Sequence, residues 1–423
     1  MLLTLSWFAA INTKSTTEKQ LELMRQAAVL TSYNIYIRAV PLLEEAAGYN
    51  TKYTVTAENE LKLVYIALLD NRGFPRKYTG LLEKQMSRRD VPADIFAEAA
   101  DYYMKTSKTQ DALAVLRKGI EKTGSSELVS MYESSRYSYE LSRISYEKVT
   151  AIYKSTVQVC NDGLWGIAKT DGTVMIPCEY EKVSTFSSNR AIVKKGDEVY
   201  AVDRNNNRIA VAGNGVRDFG NLADNRIPLL IENSWRRASE ELELGASAFE
   251  ELGMYSGGYA AAKVNGKWGV VDKASRWLIP AEYDGVVQDE LGRCYARGTV
   301  FMRKGSSVYL FLGGKQIEEA FDDALPFCDE GYAAVKRNGK WGFIDTDGHL
   351  KIQYIFDDAL SFGQHMAAVK TGDLWGYINI NGFIVIDALF YDAKSFSNGS
   401  APVLTERGWQ FITLIEYKQE VGL

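Results

Sequence analysis

The chain has 423 residues, of which 46% are hydrophobic and 24% charged, and its formal net charge is −5. This length exceeds that of one ordinary domain and predicts two. The composition is that of a soluble globular protein, and the slightly acidic balance gives no general attraction to nucleic acid or to anionic lipid. The four cysteines lack the spacing of a zinc site or of a disulfide framework, so they leave the cellular compartment open.

Residues 1–15 form a hydrophobic N-terminal segment that allows three interpretations. The apolar run from Leu2 to Ile11 is too short to span a bilayer and lacks the basic start of a signal peptide. It can be the end of a truncated membrane anchor or signal, an apolar arm docked on the protein, or a disordered tail. An anchor or signal would place the rest of the chain outside the cytoplasm. The sequence therefore slightly favours an extracytoplasmic or membrane-anchored location over a cytoplasmic one.

Residues 16–141 show the 3.6-residue period of amphipathic helices. A first helix is predicted from Thr17, followed by helices over 57–69, 77–86, 92–104 and 109–122. The short connections between them favour antiparallel helical hairpins.

Part of this region resembles a tetratricopeptide repeat. The large and small positions of that motif are matched by Phe96, Ala99, Ala100, Tyr103, Ala112, Leu116 and Gly119. The resemblance implies a concave surface for a peptide or a partner protein. The alternative is a helical stalk that only packs on the next domain.

A linker is predicted over residues 142–154, and residues 155–414 then repeat one short pattern. Its clearest copy contains Asn338-Gly339 and Asp347-Gly348 between runs of strand length. Asn-Gly and Asp-Gly favour two-residue hairpin turns, because type I′ turns need positive φ at both central positions. Each copy is therefore predicted to be a meander of three short strands with a short fourth segment, and neighbouring copies must stack to bury a common core.

One position recurs through the array at intervals of about 34 residues. It is occupied by Trp165, Val199, Trp235, Trp268, Val308, Trp341, Trp375 and Trp409. The tryptophan is predicted to fill the layer between copies, and the glycine that follows it in four copies lets a neighbouring backbone come close. The predicted structural core of the repeats is Trp165, Trp268, Trp341, Trp375 and Trp409.

The Trp-Gly dipeptides and their spacing resemble the WG-repeat family of bacterial repeat proteins. The resemblance implies a β-repeat architecture with a binding role, and it supplies no general catalytic residues. Seven full copies and a half copy over 401–414 favour a closed, propeller-like ring over an open β-solenoid, because propellers close by lending strands from one terminus to the blade at the other. The half copy is expected to pair with the strand near 157–160, and residues 415–423 are expected to form a tail.

No cofactor, metal or catalytic site is predicted. The two histidines, His349 and His365, lack a third ligand at metal spacing, and the run from Asp345 to Gly348 is explained by turn chemistry rather than by calcium.

Where the repeat departs from its own pattern, arginines stand beside aromatic residues, a pairing enriched at interfaces. The candidate binding surface consists of Trp235, Arg236, Arg237, Arg276 and Trp277.

The predicted fold class is α+β with two domains, a helical tetratricopeptide-like domain and an all-β repeat domain. The predicted function is a non-catalytic scaffold that binds a protein or peptide partner, at the bacterial cell envelope. Two alternatives stay open: recognition of a cell-surface glycan or envelope polymer by the β domain, and a hydrolase or lyase with its site on a propeller face. Nucleic acid is not an expected partner, and membrane contact is expected only through an N-terminal anchor.

Overall fold

The structure is a computed structural model that describes residues 2–213 and 215–416, with side chains from Ser15 onward. The chain divides into two compact units, residues 1–135 and residues 136–423. The side chains of the apolar run Leu2 to Ile11, and all of the expected tail beyond Glu416, lie outside the described residues. Of the helices that could be searched, none combines the length and the apolar content that crossing a bilayer requires.

The first unit consists of helices joined by short turns. Their bounds are α1 Leu2–Ser32, α2 Tyr36–Gly48, α3 Thr54–Ala67, α4 Phe74–Met86, α5 Ala93–Lys105, α6 Thr109–Thr123 and α7 Ser126–Ser135. The first helix starts well before the predicted Thr17, because no glycine or proline interrupts the chain before Pro41. Gly124 ends α6 with a left-handed φ of 65°, and its N–H donates to the Ile120 carbonyl.

Small residues let helices α5 and α6 pack closely. Ala99, Ala100 and Ala112 are fully buried beside Phe96. A Cβ on Gly119 would lie 2.8 Å from the Cβ of Phe96, so only glycine fits there. These positions are the ones on which the tetratricopeptide resemblance rests, and the assignment to that repeat class stays a prediction.

The second unit is an eight-bladed β-propeller. Within the described part of residues 136–416, eight antiparallel sheets of four strands each form the blades. The strands are β1 Tyr139–Leu141; in blade 1 β2 Lys148–Val149, β3 Thr156–Asn161, β4 Leu164–Lys169 and β5 Val174–Tyr180; in blade 2 β6 Lys182–Val183, β7 Ala191–Lys195, β8 Glu198–Val202 and β9 Arg208–Val211; and in blade 3 β10 Val216–Phe219, β11 Arg226–Ile231, β12 Ser234–Ser239 and β13 Leu244–Phe249. Blade 4 contains β14 Glu251–Leu252, β15 Tyr259–Val264, β16 Lys267–Asp272 and β17 Trp277–Tyr283, and blade 5 contains β18 Gly285–Val286, β19 Thr299–Lys304, β20 Ser307–Leu312 and β21 Lys315–Phe321. Blade 6 contains β22 Asp323–Ala324, β23 Tyr332–Arg337, β24 Lys340–Asp345 and β25 Leu350–Phe356; blade 7 contains β26 Asp358–Ala359, β27 Met366–Thr371, β28 Leu374–Asn379 and β29 Ile384–Phe390; and blade 8 contains β30 Asp392–Ala393, β31 Ser400–Thr405 and β32 Gly408–Leu414 together with β1.

The short first strand of each blade faces the centre of the ring. In blades 1 to 7 the strands pair in chain order, so the first and fourth strands form the two edges of the sheet. Residues in or just after the first strands of blades 1 to 5, among them Val183 and Leu252, line one central cavity of about 340 Å³. The fourth strands therefore form the outer rim. The predicted closed ring is confirmed.

The strand that closes the ring is not the expected one. β1 joins blade 8 as its fourth strand and pairs antiparallel with β32. The prediction that residues 401–414 form a half copy pairing near 157–160 is therefore wrong, because β30, β31 and β32 supply three strands and β1 completes an eighth blade. The side-chain amide of Gln410 also donates to the Ser142 carbonyl at 2.6 Å, which ties the two ends of the propeller together.

The boundary between the units also differs from the prediction. β1 lies inside the region predicted to be helical, and β2 lies inside the predicted linker 142–154. The compact units divide after Ser135 instead. Both strands are too short to show a period, and their strand character comes from pairing with β32 and β3.

The recurring tryptophan position is the second residue of the third strand in every blade, from Trp165 in β4 to Trp409 in β32. In blades 1, 4, 6 and 7 the glycine that follows is covered closely by the fourth strand. A Cβ there would lie 2.4 to 2.6 Å from an isoleucine carbonyl oxygen, at Gly166, Gly269, Gly342 and Gly376. The predicted close approach of the backbone is confirmed.

A ring of hydrogen bonds connects the turns that precede the second strands of neighbouring blades. These entry turns are two-residue turns in most blades, and both central residues of Ser188-Asn189 have positive φ, 51° and 59°. The bonds join Lys154 to Ser187, Ser188 to Asn225, Asp224 to Gly258, Ser256 to Tyr295, Arg297 to Asp329, Glu330 to His365, Gln364 to Gly399 and Asn398 to Lys154. Because the last bond returns to blade 1, the entry turns form an unbroken circuit on one face of the propeller.

The two turn types of the repeat differ in length. Asn338 and Gly339 have φ values of 51° and 78°, as a type I′ turn requires. The Asp347-Gly348 turn is longer than the predicted two-residue hairpin, since β24 ends at Asp345 and β25 starts at Leu350. The Asp345 carboxylate accepts the N–H groups of Asp347 and His349 at 3.1 and 2.9 Å, which stabilises the wider turn.

Candidate functional site

The predicted binding surface falls at the junction of blades 3 and 4. Trp235, Arg236 and Arg237 lie on β12 and are half-buried, whereas Trp277 starts β17. The Trp277 ring meets Phe249 of β13 edge to face, with centroids 6.3 Å apart, and Phe249 pairs with Trp235 across the strands. The structure therefore brings the aromatic members of this surface into one region.

Only part of that region faces solvent. The Arg276 side chain is 82% exposed and forms an ion pair with Asp272 at 2.7 Å. Trp277 is 40% exposed. Of the five predicted residues, Arg276 and Trp277 are therefore the two that are accessible to a ligand.

The arginines of β12 contribute to packing between blades. Arg237 Nη1 donates to the Lys273 carbonyl of blade 4. The Nε atoms of Arg236 and Arg237, and the hydroxyl of Tyr255, are buried without a partner among the described residues. Burial raises the pKa of Tyr255 to about 12, and the charge of Arg237 opposes that rise. This part of the predicted surface is thus a half-buried polar junction.

The predicted core tryptophans pack between strands. Trp341, Trp375 and Trp409 are buried, and Trp165 and Trp268 are half-buried. A lysine lies directly opposite the tryptophan in several blades, as Lys336 does opposite Trp341, with its Nζ 5.8 Å from the ring. Lys263 and Lys336 therefore interact with the rings of Trp268 and Trp341.

The outer edge of blade 7 exposes apolar side chains. β29 carries exposed Ile384 and Leu389, with Phe383 just before the strand and Tyr391 just after it. Phe383 is 67% exposed and Leu389 61% exposed. Sequence reasoning missed this edge because Ile384 to Phe390 matches the return strands of other copies; the missed signal is that the strand contains neither proline nor lysine.

The rim strands of blades 1, 4 and 5 are better protected against pairing with another chain. The fourth strands of blades 1 and 4 contain Pro177 and Pro280, which remove a backbone donor. The fourth strand of blade 5 contains Lys315, Glu318 and Glu319. Proline and charge both discourage the addition of a strand at an exposed edge. The β29 edge has a single charged residue, Asp387, and is open to such addition.

One cluster of possible metal ligands occurs among the described residues, formed by Asp345, Asp347 and His349. Both oxygens of Asp345 are already engaged. One accepts the two N–H groups of the turn, and the other lies 2.9 Å from Lys351 Nζ. Asp203 and Asp272 make the same turn in blades 2 and 4, so the arrangement is a property of the turn.

A loop between β18 and β19 of blade 5 extends into the centre of the ring. Leu291 of this loop is buried with Ala223 and Met254, and its carbonyl accepts from the Asn221 amide at 2.9 Å. Glu290 lies 2.5 Å from Lys394 of blade 8, three blades further along the ring. The central channel is therefore filled by a loop that connects distant blades, with the small cavity beside it.

All four cysteines are free thiols, of which Cys160 and Cys294 are buried and Cys178 and Cys328 are half-buried. Burial raises the pKa of both Cys294 and Cys328 to about 12. A raised pKa keeps the thiol protonated, and the thiolate is the reactive form. We expect both residues to react with a thiol reagent at about pH 8 far more slowly in the native protein than in urea. Quantitative labelling followed by peptide mass spectrometry measures this, and rapid labelling of Cys294 in the native protein would contradict the buried assignment.

The model of the family described as WG containing repeat matches residues 165–198, 247–268, 268–288, 320–341, 341–375 and 375–409. The family model thus finds WG repeats within residues 165–409. All six matches begin or end at a tryptophan of the predicted core, which agrees with the position of that residue in the third strand. No curated protein matches the sequence of the chain.

Several solved structures resemble the chain weakly. The β-propeller domain of Myceliophteria thermophila Cps50 (Swd1) is 8% identical with a TM-score of 0.36, and the match covers 66% of this chain and 100% of that one. The Neurospora crassa Pan2 WD40 domain is 9% identical with a TM-score of 0.34, covering 63% and 87%. The AfRom2 CNH domain is 9% identical with a TM-score of 0.31, covering 55% and 93%. Likeness at this level carries no argument about function, and the assignment of the propeller fold rests on the pairing of the strands in the eight sheets.

Proposed function

We propose that the chain is a non-catalytic scaffold that binds a protein or peptide partner, and that the outer edge of blade 7 is the binding surface. The observation that carries this proposal is the exposed apolar edge of β29. Exposed apolar residues grouped on a soluble protein mark interaction sites. The backbone groups on the outer side of a rim strand are also unpaired within the sheet.

The chemistry of the edge defines the kind of partner. An extended peptide can add to β29 as a fifth strand of blade 7, with main-chain hydrogen bonds supplying affinity. Phe383, Ile384 and Leu389 would contact apolar side chains of that peptide. The partner is therefore an extended, apolar segment of another protein.

The helical unit completes the proposed scaffold. Its packing of Phe96 against Ala99, Ala112 and Gly119 supports a tetratricopeptide-like hairpin that contacts a partner. A location at the bacterial cell envelope belongs to the same proposal and rests on the apolar run Leu2 to Ile11.

Glycan recognition is a second candidate function. The exposed pair Arg276 and Trp277 supports it, because an aromatic face beside a hydrogen-bonding cation suits a sugar ring. The hydrolase or lyase alternative gains no specific support from the geometry of the described residues.

Selection of peptides from a random display library tests the main proposal. We expect selected peptides to lose about tenfold or more in affinity when Leu389→Lys places a charge on the edge, because the buried centre of an interface tolerates charge poorly. Ile209→Lys on the outer strand of blade 2 is the matched control, since Ile209 is also an exposed rim residue. Affinity is measured by titration calorimetry.

Two outcomes would overturn the blade 7 assignment. One is a set of selected peptides that bind the Leu389→Lys and Ile209→Lys variants equally well. The other is hydrogen exchange in which the bound peptide protects a different rim strand and leaves residues 384–390 unchanged.

A further inference from the structure

The cleft between blades 1 and 2 brings three cationic side chains together. It has a volume of about 880 Å³ and is lined by Lys154, Lys169 and Arg204, with no lining carboxylate. Hydroxyl and amide groups of Ser187, Asn189, Asn205 and Asn398 line it as well, together with the apolar side chains of Met175 and Phe186. The cleft therefore combines positive charge, many hydrogen-bonding groups and a small apolar strip.

None of the three cations forms an ion pair within the described ranges. The Lys154 ammonium donates to the Ser187 hydroxyl at 3.0 Å, and the Arg204 Nε donates to the Asn189 side chain at 2.9 Å. Both partners are neutral, so the positive charges are positioned without being neutralised.

The nearest acidic residues in the sequence are engaged in their own turns. One oxygen of Asp171 accepts both the N–H and the hydroxyl of Thr173, at 2.8 and 2.7 Å. The carboxylate of Asp203 accepts backbone and side-chain N–H groups of Asn207, and these bonds lower its pKa. Neither aspartate lines the cleft.

The internal repeats show what the same positions do elsewhere. Between blades 3 and 4, Asp224 occupies the entry-turn position of Lys154, and Lys273 occupies the position of Arg204, five residues after the recurring position. There the two side chains form an ion pair at 3.6 Å. Between blades 1 and 2, Lys154 stands at the position that Asp224 occupies between blades 3 and 4. The cleft therefore has two positive side chains, Lys154 and Arg204, at the positions that form an ion pair between blades 3 and 4.

At a third position of the repeat, blade 1 also has a lysine where other blades have an aspartate. Lys169 lies four residues after Trp165, where Asp203, Asp272 and Asp345 stand in blades 2, 4 and 6. In those blades the aspartate stabilises the turn. In blade 1 the turn is stabilised instead by Asp171, a residue of the turn itself, which accepts the Thr173 N–H. Lys169 therefore places an ammonium group at the cleft.

We propose that the cleft between blades 1 and 2 binds an anionic oligosaccharide. The three cations would bind carboxylate or sulfate groups, which are ionised at neutral pH and form charge-assisted hydrogen bonds with lysine and arginine. The hydroxyl and amide groups match sugar hydroxyls, and the strip formed by Met175 and Phe186 suits the apolar face of a sugar ring. A cleft of about 880 Å³ accommodates several sugar units rather than a single small anion. This site is separate from the peptide edge proposed on blade 7.

The test compares binding of defined probes by titration calorimetry. The probes are a tetragalacturonate, a sulfated heparin tetrasaccharide, the neutral cellotetraose, a tetraglutamate peptide and inorganic phosphate. We expect binding of at least one acidic sugar, weakening with added salt, and no binding of cellotetraose.

The decisive variant is Lys154→Asp, which recreates the ion pair of blades 3 and 4 inside the cleft. Lys154 has a φ of 57°, and aspartate adopts that region more readily than lysine, so the variant is expected to fold. We expect it to weaken acidic-sugar binding by about tenfold or more, as loss of a charged contact in an interface does. Arg204→Gln should act in the same direction. Lys273→Gln, which changes the equivalent position in blade 4, is the matched control and should bind as the unaltered chain does.

Three results would overturn the proposal. The first is unchanged acidic-sugar binding in Lys154→Asp and Arg204→Gln. The second is equal binding of acidic and neutral sugars. The third is binding of tetraglutamate or of phosphate as tight as that of the acidic sugars, which would assign the cleft to acidic peptides or to small anions instead.

Discussion

Replacing Gly342 with alanine should destabilise the propeller by about 3 kcal/mol or more, at the upper end of what overpacking of a core causes. The added Cβ would lie 2.6 Å from the Ile352 carbonyl oxygen, which belongs to the neighbouring strand and cannot turn away as a side chain would. Urea denaturation followed by tryptophan fluorescence measures the change in the free energy of unfolding.

Gly213→Ala is the control for that replacement. A Cβ on Gly213 meets no atom within 4 Å, and its φ is not in the left-handed region. We expect a change of less than about 0.5 kcal/mol, as for an ordinary surface substitution. Equal effects of the two replacements would show that the fourth strand does not cover Gly342 in solution.

Phe411→Ala should lower the free energy of unfolding by about 3–5 kcal/mol, as loss of a buried phenylalanine does. Phe411 lies on β32 of blade 8, is fully buried and packs with Val157 and Val159 of blade 1. Its ring also meets Tyr146 edge to face, with centroids 6.2 Å apart. Because this contact joins the last blade to the first, both blades should lose protection from hydrogen exchange.

The matched control for Phe411 is Phe383→Ala. Phe383 is another phenylalanine of the propeller but is mostly exposed, so its loss should change the free energy of unfolding by less than about 1 kcal/mol. Unchanged exchange in residues 156–161 of the Phe411→Ala protein would contradict closure between blades 8 and 1.

The positions of the repeats could be predicted because the copies within the chain can be aligned with one another. Trp165, Trp268, Trp341 and Trp375 each precede a glycine, and one steric reason, the close fourth strand, applies to all four. The same frame located Val199 and Val308, which occupy the tryptophan position without resembling it. Periodic repetition thus compensated for the weak signal of each short strand.

The closing strand could not be predicted in this way. β1 has three residues, Tyr139 to Leu141, and nothing in them repeats the pattern of the other blades. Its structure depends on a partner at the far end of the chain, and such long-range pairing leaves no local period. The number of blades and the boundary of the helical unit were missed for the same reason.

The candidate sites were predicted less well than the fold. Sequence reasoning selected Trp235, Arg236 and Arg237 because they break the repeat pattern, and the structure places them half-buried at a blade junction. Exposure depends on which strand forms the rim, which no single copy reveals. The cleft at Lys154 and Arg204 depends on two positions that are far apart in the sequence and that meet only when neighbouring blades pack.

The pairing of β1 with β32 also sets an order of events during synthesis. Tyr139 leaves the ribosome about 275 residues before Leu414, its partner in the eighth blade, and at about 5–20 residues per second this interval lasts roughly 14 to 55 s. During that time β1 has no strand to pair with, while the intervening blades can already form from hairpins of local sequence. Completion of the ring is therefore a late step that follows translation of nearly the whole described chain, and until then an unpaired strand and an open blade face are available to chaperones or to a second nascent chain.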